Sequence, residues 1–185
     1  MDEIRTKIAN LPGHTRQSVC LPGSTRYYSL NAGVKKSKEG DQTMRPATRG
    51  AHFPLPSLVV EVGESQSRTA LWEAGDWWIE NTEGFVRFVI LIKLMARPVS
   101  FKFECSAKIP FDETQESPNP SPPWIIMQHQ MFDIDSQSNV TSNCPALRIP
   151  YKCIFDLGHE HATDIVFTKD DLSRWADWAY GQMAL

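Results

Sequence analysis

The stretch Phe85–Leu94 limits what this chain can fold into more than any other. Its Val-Arg-Phe-Val-Ile-Leu-Ile-Lys-Leu run is apolar almost without interruption. That continuity predicts a central strand. A second apolar run, Leu58-Val-Val-Glu-Val62, predicts another strand from about Ser57 to Val62 and sets one carboxylate, Glu61, in its middle. A carboxylate there gives up hydration and needs a metal ion or a hydrogen-bond donor in return. A partly exposed Glu near a strand end, salt-bridged to a nearby Lys or Arg, would also satisfy the pattern. Between the two runs, Ala70, Leu71, Ala74, Trp77 and Trp78 recur at helical spacing. They predict a helix over 67–80, with Ser65 or Ser67 available as its N-cap.

The remaining elements follow from the same periodicities. Ile4 and Ile8 lie one helical turn apart in residues 2–10, and Pro12-Gly13 stops the run. Short strands are expected at 27–30 and 42–44, with loops at 31–40 and 47–56. Val99, Phe101, Phe103 and Cys105 alternate with polar residues, as an antiparallel strand with one wet face requires. Pro110–Pro123 holds five prolines and reads as an exposed loop. Further strands are expected at 124–132 and 152–157, separated by a polar Ser/Asn segment. A last helix runs over 169–182, opened by a capping box of Thr168 with Asp171 and carrying Leu172, Trp175, Ala176 and Ala179 as its buried stripe. Trp175 and Trp178 are expected to cover the sheet. The order is that of a mixed α/β or α+β domain spanning 1–185.

At 185 residues the chain can bury a core without staples. No stretch approaches the roughly 20 apolar residues of a membrane span. The charged start Met-Asp-Glu-Ile-Arg-Thr-Lys is not a secretory signal, so an intracellular site, cytoplasmic or nuclear, is expected. Cys20, Cys105, Cys144 and Cys153 form no C-x-x-C pair and read as free thiols in a reducing compartment. Asn139-Val-Thr141 reads as a chance match to a glycosylation acceptor. The net charge of −3 divides unevenly, with +5 over residues 1–50 and −8 over the remainder. Lys35, Lys36, Lys38, Arg45 and Arg49 could hold a phosphate backbone, or could be a solvated loop.

The segments Lys38-Glu-Gly-Asp41-Gln-Thr-Met-Arg-Pro46, Leu55-Pro-Ser-Leu-Val-Val-Glu61-Val-Gly-Glu-Ser-Gln-Ser67, Leu71…Trp77-Trp78-Ile-Glu-Asn81 and Val86–Leu94 resemble a group of uncharacterised fungal proteins. That group looks like a branch of the restriction-endonuclease-like PD-(D/E)XK superfamily, and the resemblance spans roughly residues 24–94. It implies a central mixed sheet flanked by helices, two acids on adjacent strands binding Mg²⁺, and a lysine that positions the attacking water. Asp41 matches the first acid and Glu61 the second. The lysine expected two residues after Glu61 is replaced by Gly63. In some relatives it moves to the following helix, whose first turn here offers only Arg68. Gln66 replaces an acid of the fungal motif, and Ala74 stands where Asp usually precedes the tryptophans, with Asp76 two residues on.

Two functions compete. One is a Mg²⁺-dependent phosphodiesterase acting on nucleic acid. Asp41 and Glu61 would hold the metal, Gln66 or Arg68 would orient water or phosphate, and Lys35, Lys36, Lys38 and Arg68 would contact nucleic acid. The other is a catalytically inactive nuclease-fold module for a protein partner, a second copy or nucleic acid. His159-Glu-His161 places two imidazoles on one face if it is a strand, but surface histidines in a loop are the plainer reading. Trp72, Trp77 and Trp78 could stack bases, while their helical spacing favours core packing.

Overall fold

Parallel pairing of the two apolar strands organises the molecule. In the computed structural model, which describes residues 1–33, 35–50, 55–96, 99–110, 124–126, 130–156 and 163–183, β5 (Leu58–Gly63) leads into α2 (Arg68–Asn81), and α2 returns the chain to β6 (Phe88–Ala96) beside β5 and parallel to it. Every other pairing is antiparallel. The main sheet runs β1 (Val19–Cys20), β4 (Gln42–Pro46), β5, β6, β7 (Val99–Pro110), β9 (Gln130–Ile134), β10 (Val140–Ser142), and β8 (Trp124–Ile126) pairs with the far part of β7. Two small sheets stand apart from it: β2 (Arg26–Tyr28) with β3 (Ser37–Glu39), and β11 (Ala146–Ile149) with β12 (Ile165–Thr168). The architecture is mixed α/β with a central mixed sheet.

The two-residue period of the strands divides the core in two. Leu58, Val60, Phe88, Ile90, Phe101, Phe132 and Ile134 face one side. There they meet α1 (Asp2–Ala9), the β11–β12 ribbon, α3 (Tyr151–Ile154) and α4 (Lys169–Met183). Val59, Val89 and Leu91 face the other side, against Leu71 and Trp78 of α2 and Tyr27 of β2. Side chains on both faces explain why the Phe85–Leu94 run alternates so little.

Several expectations hold with shifted ends. Thr168 and Asp171 form the reciprocal capping box, with bonds of 2.9 and 3.2 Å, and Ser67 caps α2 through the Ala70 N–H at 3.1 Å. Others need correction. Residues 151–154 are a helix rather than a strand: Pro150 at its N-cap presets the turn, and the Asp164 carboxylate accepts the Tyr151 N–H at 3.2 Å. The polar segment before it carries β10 and β11, whose alternation is too short to show in sequence. Trp175 packs on the core, but Trp178 is 71% exposed and does not cover the sheet. Of the Pro-rich loop expected over 110–123, Pro110 instead ends β7, where it pairs with Trp124, and residues 111–123 lie outside the described residues, as do His159 and His161.

A buried charge cluster fastens the end of the sheet where β6 begins. Arg49 donates to Asp156 at 2.9 and 2.7 Å and to the carbonyls of Leu55 and Phe85. Arg87 donates to Asp156 and to the carbonyls of Lys152 and Phe155. Burial acts to raise the Asp156 pKa, but the bonds and charges of Arg49 and Arg87 outweigh it and hold the carboxyl below its ordinary value. A lowered acid stabilises fully above the unfolded value of about 3.9 and loses that contribution as pH falls further. Asp156→Ala leaves two buried guanidiniums without their shared carboxylate. It is expected to cost about 2 kcal/mol in urea unfolding at pH 7, less than an enclosed pair because Asp156 is open on one side. The difference from the wild type should shrink below about pH 4.

Candidate functional site

At the C-terminal end of β5 the ladder with β4 gives out, and the acids meet there. The register pairs Gln42 with Val60, so Asp41, one residue back, comes opposite Glu61. Beyond this last pair the Val62 N–H would lack a ladder partner, and the Asp41 carboxylate accepts it at 2.7 Å. Asp41 is exposed, whereas Glu61 is 7% exposed. Glu61 shares the α2-facing side of β5 with Val59, and its Oε1 accepts the indole N–H of Trp78 at 2.5 Å. A buried indole N–H needs an acceptor and a buried carboxylate needs a donor, so each answers the other.

A third charge arrives from outside the sheet. Lys38 Nζ lies 3.4 Å from Glu61 Oε1. Lys38 sits on β3 opposite Tyr27 of β2. The buried Tyr27 ring meets Trp78 edge-on, with centroids 5.7 Å apart, and its hydroxyl lies 3.3 Å from Thr43 Oγ1. Arg26 and Glu39 clasp the hairpin at 2.7 Å. Ser29, Leu30 and Asn31 bond to Asn81 and the Glu80 carbonyl at the end of α2. Gly40 permits the descent into β4, since a Cβ there would lie 3.0 Å from Thr43 and Val59 and 3.3 Å from Trp78.

Burial raises the Glu61 pKa most strongly, and the Asp41 charge adds to the rise. The Trp78 bond and the Lys38 charge pull it back without cancelling the increase. The site is thus a carboxylate pair whose buried member is held by one neutral donor and one cation.

The other expected residues fall around this centre. Gln66 is exposed, and its Oε1 lies 3.5 Å from where a Cβ on Gly63 would stand. Lys35 and Lys36 are exposed on the turn and approach of the β2–β3 hairpin, apart from Lys38's inward contact. Arg68 is drawn away from the acids, its Nε 2.8 Å from buried Glu104 on β7. Two residues carry roles that the sequence did not reveal. Trp78 reads there as core packing or a base-stacking ring, not as the donor to a carboxylate. Lys93 reads as part of an apolar strand, yet it lies beside Gly63 in the β5–β6 register and donates to the carbonyls of Glu64 and Gln66. A lone lysine in so apolar a run was the available signal.

No family model matches this chain, and no curated protein matches it. Among solved structures it is similar to a crystal structure from Anabaena variabilis of a DUF820 protein proposed to be a nuclease. The identity is 12%, with 94% of this chain and 76% of that chain covered, at a TM-score of 0.44. The comparisons leave the fungal grouping without support. No described helix is long and apolar enough to cross a membrane.

The raised Glu61 pKa fixes a sign. The folded chain binds this proton more tightly than the unfolded chain, so Glu61's contribution to stability falls as pH rises from about 4.3 through the folded value. Glu61→Gln keeps an acceptor for Trp78 and removes the titration. Thermal melts from pH 3.5 to 8 should show the wild type losing stability relative to the variant across that window. A pH-independent difference would mean that Glu61 is not held as described.

Proposed function

We propose that this chain is a nuclease-like phosphodiesterase acting on nucleic acid, with Mg²⁺ held between Asp41 and Glu61. The observation that carries the reading is the convergence of Asp41, Glu61 and Lys38 at the end of β5, two acids at the positions the PD-(D/E)XK resemblance asks for and a cation that comes from the β2–β3 hairpin rather than from position 63. The donor set suits a hard cation. Asp41 Oδ1 and Glu61 Oε2 make no hydrogen bond among the described residues, and Mg²⁺ commonly takes one or two carboxylates and keeps several waters. Among the described residues no group of three or more His, Cys, Asp or Glu could hold a metal ion, so a cation at this pair would take the rest of its shell from water and substrate oxygen. When bound, the metal supplies a more acidic water and neutralises charge developing on phosphate. Within the chain, Trp78 and Lys38 hold the Glu61 carboxylate in place, and the Val62 N–H holds Asp41. Lys35 and Lys36, exposed on the same hairpin as Lys38, would contact the phosphate backbone. Gln66, beside Gly63, would orient water or phosphate.

A second reading is an inactive nuclease-fold module that binds a partner. It is favoured by Gly63 at the lysine position and by the hydrogen bond that already engages one oxygen of each carboxylate.

Calorimetry with Mg²⁺ and Mn²⁺ separates the two. The wild type should bind, and Asp41→Ala and Glu61→Ala should each abolish the heat. In a Mn²⁺-supported hydrolysis assay on single- and double-stranded DNA and RNA, either change should lower the rate at least about a hundredfold. A wild type that gives no heat with either ion ends the metal reading. Nucleic-acid binding that weakens steeply with salt would then favour an electrostatic nucleic-acid module, and salt-insensitive association a protein partner.

A further inference from the structure

We propose that the cavity on the face of the sheet away from α2 binds an amphipathic amine, an alkyl or aromatic body carrying one protonated nitrogen. The cavity measures about 830 Å³, within the roughly 300–1,000 Å³ of small-molecule sites. Val62 of β5, Ile92 and Leu94 of β6 and Phe101 of β7 line it from the sheet. Phe167 of β12 and Trp175 and Trp178 of α4 line it from the layer above. Successive strand residues point to opposite faces, so Val62 turns away from the side that Glu61 occupies, and the cavity is separate from the acid pair. Of the four exposed large apolar side chains among the described residues, two belong to this cavity: Val62, 38% exposed, and Trp178. Apolar side chains gathered in one concave, open site are what a ligand with an apolar body covers.

The charge at the cavity's polar end selects the head group. Asp2, Glu3, Asp171 and Arg174 line that end, together with Met1. Arg174 donates to Asp171, which also accepts Lys7 at 3.1 Å and the Thr168 N–H at 2.9 Å, so these groups satisfy one another. Asp2 gives one oxygen to Arg16, and Glu3 accepts no hydrogen bond among the described residues. The Met1 amine lies near both acids, but burial holds its pKa below the ordinary 8.0, which makes it a weaker cation than in water. What is left over is acceptor oxygen and negative charge, which an ammonium answers and a carboxylate does not. The rings of Phe101, Phe167, Trp175 and Trp178 add π faces that attract a cation, and Lys7 already stands 4.8 Å from the Phe167 centroid. A protein partner fits less well: fourteen described residues line the cavity, against the roughly 20–30 that an interface takes from each side.

The test titrates the intact chain at pH 7 and low salt with decylamine, decanoate and decanol, each below its aggregation threshold. These share one chain and carry a cationic, an anionic and a neutral head. NMR signals of the Val62, Ile92 and Leu94 methyls and of the Trp178 indole N–H report the cavity. The Val59 and Val89 methyls, on the other face of the sheet, serve as controls. One decylamine should bind per chain, at least about tenfold tighter than decanoate and tighter than decanol, shifting the cavity signals and not the controls. It should bind about fifteenfold tighter than octylamine, about fourfold for each added methylene. Glu3 and Trp178 are exposed, so their variants should keep the fold. Glu3→Lys should remove the preference for the amine, and Trp178→Ala should weaken decylamine about tenfold. Decanoate or decanol binding as tightly as decylamine overturns the proposal. So does an absence of shifts at the cavity, a preference indifferent to Glu3→Lys, or self-association that shields the Trp178 indole and leaves no room for the amine.

Discussion

Parallel pairing of β5 with β6 is the constraint on which the rest depends. Two parallel neighbours cannot be joined by a tight turn, so the chain must cross a face of the sheet before β6 can begin, and here it crosses as α2. That crossing lays Trp78 over β5, where its indole N–H meets Glu61. It also gives the β2–β3 hairpin something to dock on, through Tyr27 against Trp78 and the Asn31 region against the end of α2. An antiparallel β5–β6 connection would have left that face, and Glu61 with it, differently covered.

Glu61 shows how burial and chemistry are balanced. An ionised carboxylate removed from water is costly unless donors replace its hydration. Here one donor is neutral and fixed by the core, and the other is a cation on a mobile type of side chain with a longer contact. Asp41 works against them by adding like charge. A pair of acids with one proton held more tightly than usual is the electrostatic condition that a divalent cation relieves.

Much of this was legible in the amino-acid sequence, and the failures have physical causes. The strands around Val60 and Ile90, α2 and the capping box of α4 rest on long periodic runs, which tertiary context seldom overrides. No periodicity announces the meeting of Asp41 with Glu61, which was expected from a resemblance alone; the β4–β5 register brings the two opposite each other. Lys38's inward contact was not legible, because β3 is three residues of Ser-Lys-Glu whose alternation is too short to register. It therefore reads as part of a basic surface cluster, which is true of Lys35 and Lys36 but not of Lys38. Tyr151–Ile154 looks like a strand because its apolar residues are dense, and only Pro150 and the distant Asp164 turn it into helix. Trp178 shares its helix face with Trp175 by count, yet it falls where nothing described covers it.

The bonds from the hairpin to the end of α2 have a thermodynamic consequence. The last carbonyls of a helix have no partners within it. Here the Leu30 N–H and the Asn31 side chain satisfy those of Asn81 and Glu80, so the hairpin acts as the helix's C-terminal cap. Fraying of that last turn and release of the hairpin are then one cooperative opening, with a single free energy shared by both. Any ligand that binds only the docked hairpin must also stiffen the far end of α2, and a change that loosens that helix end must weaken the charge delivered to Glu61.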